Sequence, residues 1–215
     1  PTDPNEISEK LDQFGMSLIG GFTPVVVHDK NQNQETIRQV KKTAELFKKT
    51  GATHLVSSPV YTWDWDTPQL LSNEEYKNMF QMFSEIDKIC EDNGLQNVLH
   101  PHLQTTVETK DDVNRVLDGC DVKWCLDTGH MAIGGVDVVD FAKKAFDRVG
   151  HVHLKDVNLS KSKKFKFWLK VIKRKFVMEG FNWRRSSYSS PSPQHIKIGI
   201  LKSNSLQNAT WIETG

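Results

Sequence analysis

Val98-Leu99-His100-Pro101-His102, Val122-Lys123-Trp124-Cys125-Leu126-Asp127-Thr128-Gly129-His130 and His151-Val152-His153-Leu154-Lys155-Asp156 share one build. Each is a short apolar run closed by groups that bind metal ions or move protons. Segments with helical periodicity separate them. Buried runs alternating with amphipathic helices are the pattern of a parallel sheet with right-handed crossovers. All strands of such a sheet point one way, so their C-terminal ends share a rim, where active sites of these folds lie. His100, His102, Asp127, His130, His153, Lys155 and Asp156 are therefore expected to converge.

The same alternation extends upstream. Asp3-Pro4-Asn5-Glu6 opens a short helix with Ile7 and Leu11 on one face. Ser17–Phe22 reads as a buried strand ending in glycines. Ile37, Val40, Ala44 and Phe47 recur at three and four, predicting a helix over 33–49 with Gly51 just past its end. Thr53–Ser57 is the next strand, followed by a long loop carrying Trp63 and Trp65. Ser72-Asn73-Glu74-Glu75 has capping-box spacing, and Met79, Met82, Phe83, Ile86 and Ile89 form a core-facing stripe behind it. Downstream, Thr109–Leu117 is helical. Val138, Phe141, Ala142, Ala145, Phe146 and Val149 mark one amphipathic helix, which Gly150 is expected to stop. The pattern gives strands near 18, 54, 98, 124 and 152. A complete eight-stranded barrel takes about 250 residues. At 215 residues, the chain is expected to form an α/β fold that is either an open sheet or an incomplete TIM (β/α)8-type barrel.

The net charge of +1 hides a break. Residues 1–158 hold 16 Lys/Arg against 25 Asp/Glu, a balance of −9; residues 159–215 hold 12 against 2, a balance of +10. The expected organisation is a barrel domain over 1–158 and a divergent, poorly packed basic tail over 159–215. Lys161–Lys175 has eight basic residues and no acid, interleaved with aromatic and aliphatic side chains. The acidic barrel segment is a poor surface for tracking phosphates, so no nucleic acid partner is expected. No apolar run is long enough for a membrane span, and no signal peptide is visible, although the chain begins at Pro1. Three sparse cysteines, Cys90, Cys120 and Cys125, fit reduced thiols and a cytoplasmic location. Cys125, inside an apolar run, reads as core.

Borderline divalent metals favour imidazole and carboxylate ligands on rigid elements. Asp127 and His153 sit where strand ends would place such ligands. Gly129 is expected to allow a sharp turn so that Asp127 and His130 face one ligand. Lys155 is either a cation for a substrate oxygen, an acid/base group, or a solvated surface lysine. Trp63 and Trp65 either wall a sugar pocket or cap the barrel mouth. His28, His54 and His195 read as hydrogen-bonded histidines without a site.

His100-Pro101-His102 with Thr105 and Glu108, Leu126-Asp127-Thr128-Gly129-His130, and His151-Val152-His153-Leu154-Lys155-Asp156 together resemble the sugar isomerase/epimerase-like TIM barrels. These form the xylose isomerase-like, endonuclease IV-like superfamily, and the likeness is strongest to its inosose dehydratase branch. It runs from Pro1 to about Asn158 and implies that the first two barrel strands are absent and that this form is impaired. It also implies one divalent metal ion, Mn2+, Co2+, Zn2+ or Mg2+. Asp127 and His153 match metal ligands, and His100 stands where many members have a glutamate ligand. His102, His130 and Lys155 match catalytic, proton-handling positions, with Trp63, Trp65 and Asp156 as substrate-binding candidates. The strand-eight glutamate has no clear counterpart, Glu213 being a faint one.

The resemblance implies a metal-dependent lyase or isomerase acting on a small-molecule sugar or cyclic polyol ketone through an enediolate. Returning the abstracted proton elsewhere isomerises; expelling a β-hydroxyl dehydrates. The competing reading is a non-catalytic fragment whose basic tail binds a partner or an anionic surface.

Overall fold

The computed structural model describes residues 3–158 and 160–162. After helix α1 (Pro4–Gln13), strands and helices alternate: β1 (Gly20–Val25), α2 (Asn33–Lys49), β2 (His54–Pro59), α3 (Asn73–Asp92), β3 (Gln96–Leu99), α4 (Lys110–Gly119) and β4 (Trp124–Asp127). Two short helices, α5 (Thr128–Gly134) and α6 (Val138–Lys144), precede β5 (Val149–His153). All five strands are parallel and lie in sequence order. This is the α/β barrel architecture, with five of its strand units among the described residues. The three site-bearing strands, β3, β4 and β5, are neighbours. No helix among the described residues is long and apolar enough to cross a membrane.

Local chemistry explains the helices. Ser72 caps α3 by accepting from Glu75 N, while the Glu75 carboxylate returns to Ser72 N at 2.7 Å. Thr109 and Asp112 make the same reciprocal box on α4. Val40, Ala44, Met79, Met82, Phe83, Ile86, Val113 and Val116 are buried against Leu55, Leu99 and Trp124 of the sheet. Each Val, Leu, Ile, Met or Phe among them contributes about 1.5–3 kcal/mol by leaving water. Because side chains alternate along a strand, the residues next to Leu55 and Leu99 face the other way. There Val56, Val98 and Cys125 form a small separate cluster inside the curved sheet.

Three glycines act differently from the sequence expectation. Strand β1 does not end at Gly20-Gly21 but runs through them to Val25. A Cβ on Gly20 would strike the His54 carbonyl, and one on Gly21 the Phe47 ring. Gly150 does not stop a helix; it lies inside β5, pressed against Gln96 and Val98. The helix expected through Val149 ends at Lys144, and Phe146 enters a short 3-10 turn with its ring exposed.

Two features set the position of the site. β3 and β4 share only the Leu99–Trp124 pair, supported by Leu99 N donating to Lys123 O at 2.7 Å. β4 and β5 slip in register after Trp124, which brings Asp127 opposite His153. The Arg148 guanidinium fixes the start of β5 by donating to the carbonyls of Leu117, Cys120 and Val122 at 2.6–3.3 Å.

Candidate active site

The last residue of β4 anchors the site. Asp127 is fully buried and uses its two carboxylate oxygens differently. Oδ1 caps α5, accepting from Gly129 N at 3.1 Å and His130 N at 2.8 Å. Oδ2 faces the rim. There it meets His100 Nε2 at 2.9 Å, His153 Nδ1 at 3.2 Å and Lys155 Nζ at 2.6 Å. Burial alone would raise this carboxyl's pKa. Hydrogen bonds from His100, His153, the His130 N–H and Lys155 outweigh it and hold the group well below the usual carboxylate range.

The His100 and His153 nitrogens are 3.3 Å apart. With Asp127 Oδ2 they form a triangle of donor atoms with sides of 2.9, 3.2 and 3.3 Å. Ligands at roughly 2.0–2.2 Å from one ion stand about 3 Å from one another, so this set fits a borderline divalent metal. His100 is buried and its Nδ1 has no hydrogen-bond partner. Burial, partly offset by the Asp127 hydrogen bond, lowers its pKa to about 4. His100 also groups within ligand distance with Asp127 and His130, and with Cys125 and His153. Burial pushes the Cys125 thiol far above its ordinary value, so it stays a neutral core residue.

A second pair of rings lies beside the triangle. His102 and His130 have ring centroids 4.0 Å apart. The backbone of one residue, Leu103, fixes both. The Leu103 carbonyl accepts from His102 Nδ1 at 2.8 Å, while Leu103 N–H donates to His130 Nδ1 at 3.4 Å. A carbonyl only accepts and an amide N–H only donates. Neutral His102 therefore carries its proton on Nδ1 and leaves the Nε2 lone pair free. Neutral His130 carries its proton on Nε2. Burial, with His102 and Lys155 nearby, lowers the His130 pKa to about 3, and burial also lowers that of His102.

The sequence profile described as xylose isomerase-like TIM barrel matches residues 1–185. The chain belongs to that family. The match continues beyond Asn158, into the basic segment. The inosose dehydratase of Geobacillus kaustophilus (strain HTA426) is 28% identical over 195 residues, covering 83% of this chain and 63% of that protein. The chain thus spans less than two thirds of that relative's length. Among solved structures, an IolI protein with a bound zinc atom superposes with a TM-score of 0.58 at 20% identity, over 72% of this chain and 56% of that one. The probable 3-DHS dehydratase AsbF of Bacillus anthracis gives 0.58 at 16% identity, over 71% and 57%.

Within this family fold the rim does not gather every residue picked from sequence. His100, His102, Asp127, His130, His153 and Lys155 converge. Trp65 joins them, its indole 5.9 Å from the His102 ring. Trp63 turns away, donating from Nε1 to Gln32 at 2.9 Å. Asp156 is exposed and closes its own turn by accepting from Val157 N. Gly129 is not a left-handed turn residue, because it lies in the first turn of α5. Its lack of a side chain admits Lys155, whose Cβ would sit 2.8 Å from a Cβ at position 129. Glu213 and the basic run after Ser162 lie outside the described residues. Sequence reasoning missed two participants. Phe22 had a signal, being an aromatic on a strand whose end meets the rim. The Leu103 backbone had none, because nearly every residue carries the same N–H and C=O.

Proposed function

We propose that this chain carries the site of a metal-dependent lyase or isomerase acting on a cyclic polyol or sugar ketone, with dehydration of an inosose as its reaction. The observation carrying this reading is the convergence of His100 Nε2 and His153 Nδ1 on Asp127 Oδ2, the one buried carboxylate among the described residues. The inosose dehydratase relative supports the substrate class.

His100, Asp127 and His153 would hold one divalent ion, Zn2+, Mn2+, Co2+ or Mg2+. Such an ion, when bound, polarises the substrate carbonyl and stabilises the enediolate. His102 is the base, taking the proton α to the carbonyl on its free Nε2 and returning it to the β-hydroxyl, which leaves as water. In a cyclohexane ketone with all hydroxyls equatorial, the α hydrogen and the neighbouring β-hydroxyl lie on one face, so a single base on that face serves both transfers. His130 donates a hydrogen bond from Nε2–H, as a neutral imidazole can. Lys155 offers an ammonium to substrate oxygen. Trp65 walls the pocket, while Trp63 and Asp156 shape the flanking loops. Three free cysteines suit a cytoplasmic setting.

The test is metal content together with turnover. The purified chain is stripped with EDTA, reloaded with Mn2+, Co2+ or Zn2+, and assayed for loss of water from an inosose. One bound equivalent and metal-dependent turnover are expected, with Asp127→Asn and His153→Ala losing both. Turnover that survives metal removal refutes the reading.

A further inference from the structure

Phe22 stands on the interior face of β1, the edge strand among the described residues, in register with the buried Val56 and Val98, and 41% of the residue is exposed. The exposed ring is turned toward the reactive groups. It stands edge-on to His100 at a centroid distance of 5.8 Å and 90°, and 5.8 Å from His102. Trp65 lies nearly parallel to it at 5.9 Å and 20°. The Trp65 backbone is held at φ +60°, a conformation that an L-tryptophan rarely adopts. Such strain gathers where the surrounding structure needs a side chain in one place. Here it sets the indole against both Phe22 and His102.

The arrangement is an aromatic pair set steeply, at 62–90°, to the His100 and His102 imidazoles. A molecule bound there meets polar, proton-moving groups on one side and aromatic carbon on the other. A ring with equatorial hydroxyls suits this surface. Its hydroxyls point outward around the rim, while its faces present axial C–H bonds, made slightly positive by the oxygens on the same carbons. Aromatic π systems are slightly negative and attract such hydrogens. An open-chain ketose has no continuous C–H face and must give up chain entropy to lie flat. We propose that Phe22 and Trp65 form a stacking wall that selects ring-closed polyol ketones over open-chain ketoses. The proposal rests on the reading of this rim as a polyol site and goes beyond it by naming the two side chains that sort ring-closed from open-chain ligands.

The test uses unreactive probes, so it does not depend on turnover. Saturation-transfer NMR is recorded on the full chain with Zn2+, using myo-inositol as the ring probe and D-mannitol as the open-chain probe. Myo-inositol is expected to bind at least tenfold tighter, with saturation strongest at its ring C–H protons. Phe22→Leu and Trp65→Leu are each expected to weaken myo-inositol roughly two- to twelvefold, the range for losing one aromatic stack. Phe22→Tyr restores the affinity. Zn2+ content measured alongside separates the two ideas. Loss of Zn2+ binding with myo-inositol still held by Phe22 overturns the metal reading and leaves the wall standing. Equal affinity for both polyols, no saturation of ring protons, or unchanged binding in Phe22→Leu with Zn2+ retained overturns the wall.

Discussion

Lys155 Nζ and Asp127 Oδ2 are 2.6 Å apart, on the same oxygen that His100 and His153 approach. The ammonium therefore competes with any cation for the carboxylate. Removing it leaves Asp127 with a whole negative charge for the ion and deprives the substrate of a cation. Lys155→Met is expected to bind Zn2+ or Mn2+ about tenfold more tightly while turnover falls by roughly 10²–10⁴-fold. Metal titration beside steady-state assay checks this; weaker metal binding in the variant would place Lys155 as a helper rather than a competitor.

The three proposed ligands should not be equal. A metal-bound imidazole normally donates its second ring N–H to a partner. His100 Nδ1 is buried without one, so binding through Nε2 moves its proton to a nitrogen with nothing to accept it, at a cost of about 1–3 kcal/mol. His153 is partly open to solvent and has no such penalty. Affinities measured by chelator competition should fall most for Asp127→Asn, less for His153→Ala and least for His100→Ala. The largest loss at His100 would contradict this order.

Acid should unfold the protein earlier than its carboxylates alone predict. Burial lowers His100 to about 4 and His130 to about 3, against 6.5 for the free side chain. Between those values the unfolded chain binds more protons than the folded one. Stability is thus complete above about pH 6.5 and lost as pH falls toward 4, by about 1.4 kcal/mol per pH unit for each histidine. The metal-free protein should show a falling Tm between pH 7 and 4.5, and His130→Gln a shallower fall. A flat Tm across that range would remove both groups from the account.

How much of this was legible in the sequence depends on the kind of signal. Helix α2 has the bounds that its apolar repeat predicts, and α3 begins at its capping box. The convergence of His100, Asp127 and His153 followed from strand direction alone. Glycine was the weak point. Gly20, Gly21, Gly129 and Gly150 read as breakers, whereas here each makes room for a neighbour approaching from elsewhere in the chain. Spacing along the sequence does not reveal such an approach. The different fates of Trp63 and Trp65 were equally hidden, since one left-handed backbone angle separates them.

Gly129 offers the sharpest test of that lesson. It lies in the first turn of α5 at an ordinary backbone angle, so alanine is acceptable to the helix itself. The added methyl would meet Lys155 Cβ at 2.8 Å and Cδ at 3.1 Å, with Val157 Cγ2 at 3.3 Å. The Cβ belongs to the strand-end backbone and moves only if the segment after β5 moves. Lys155 N is held there by Thr128 Oγ1 at 2.8 Å, so the strain passes to the contact between Lys155 and Asp127. Gly129→Ala is expected to keep its helices by circular dichroism and to lose about 1–3 kcal/mol of stability to overpacking. Turnover should drop roughly 10–100-fold through displacement of the ammonium. Lys155→Met in the same background should then add little further loss, because both changes remove one group. Full additivity of the two losses would show that Gly129 acts on something other than Lys155.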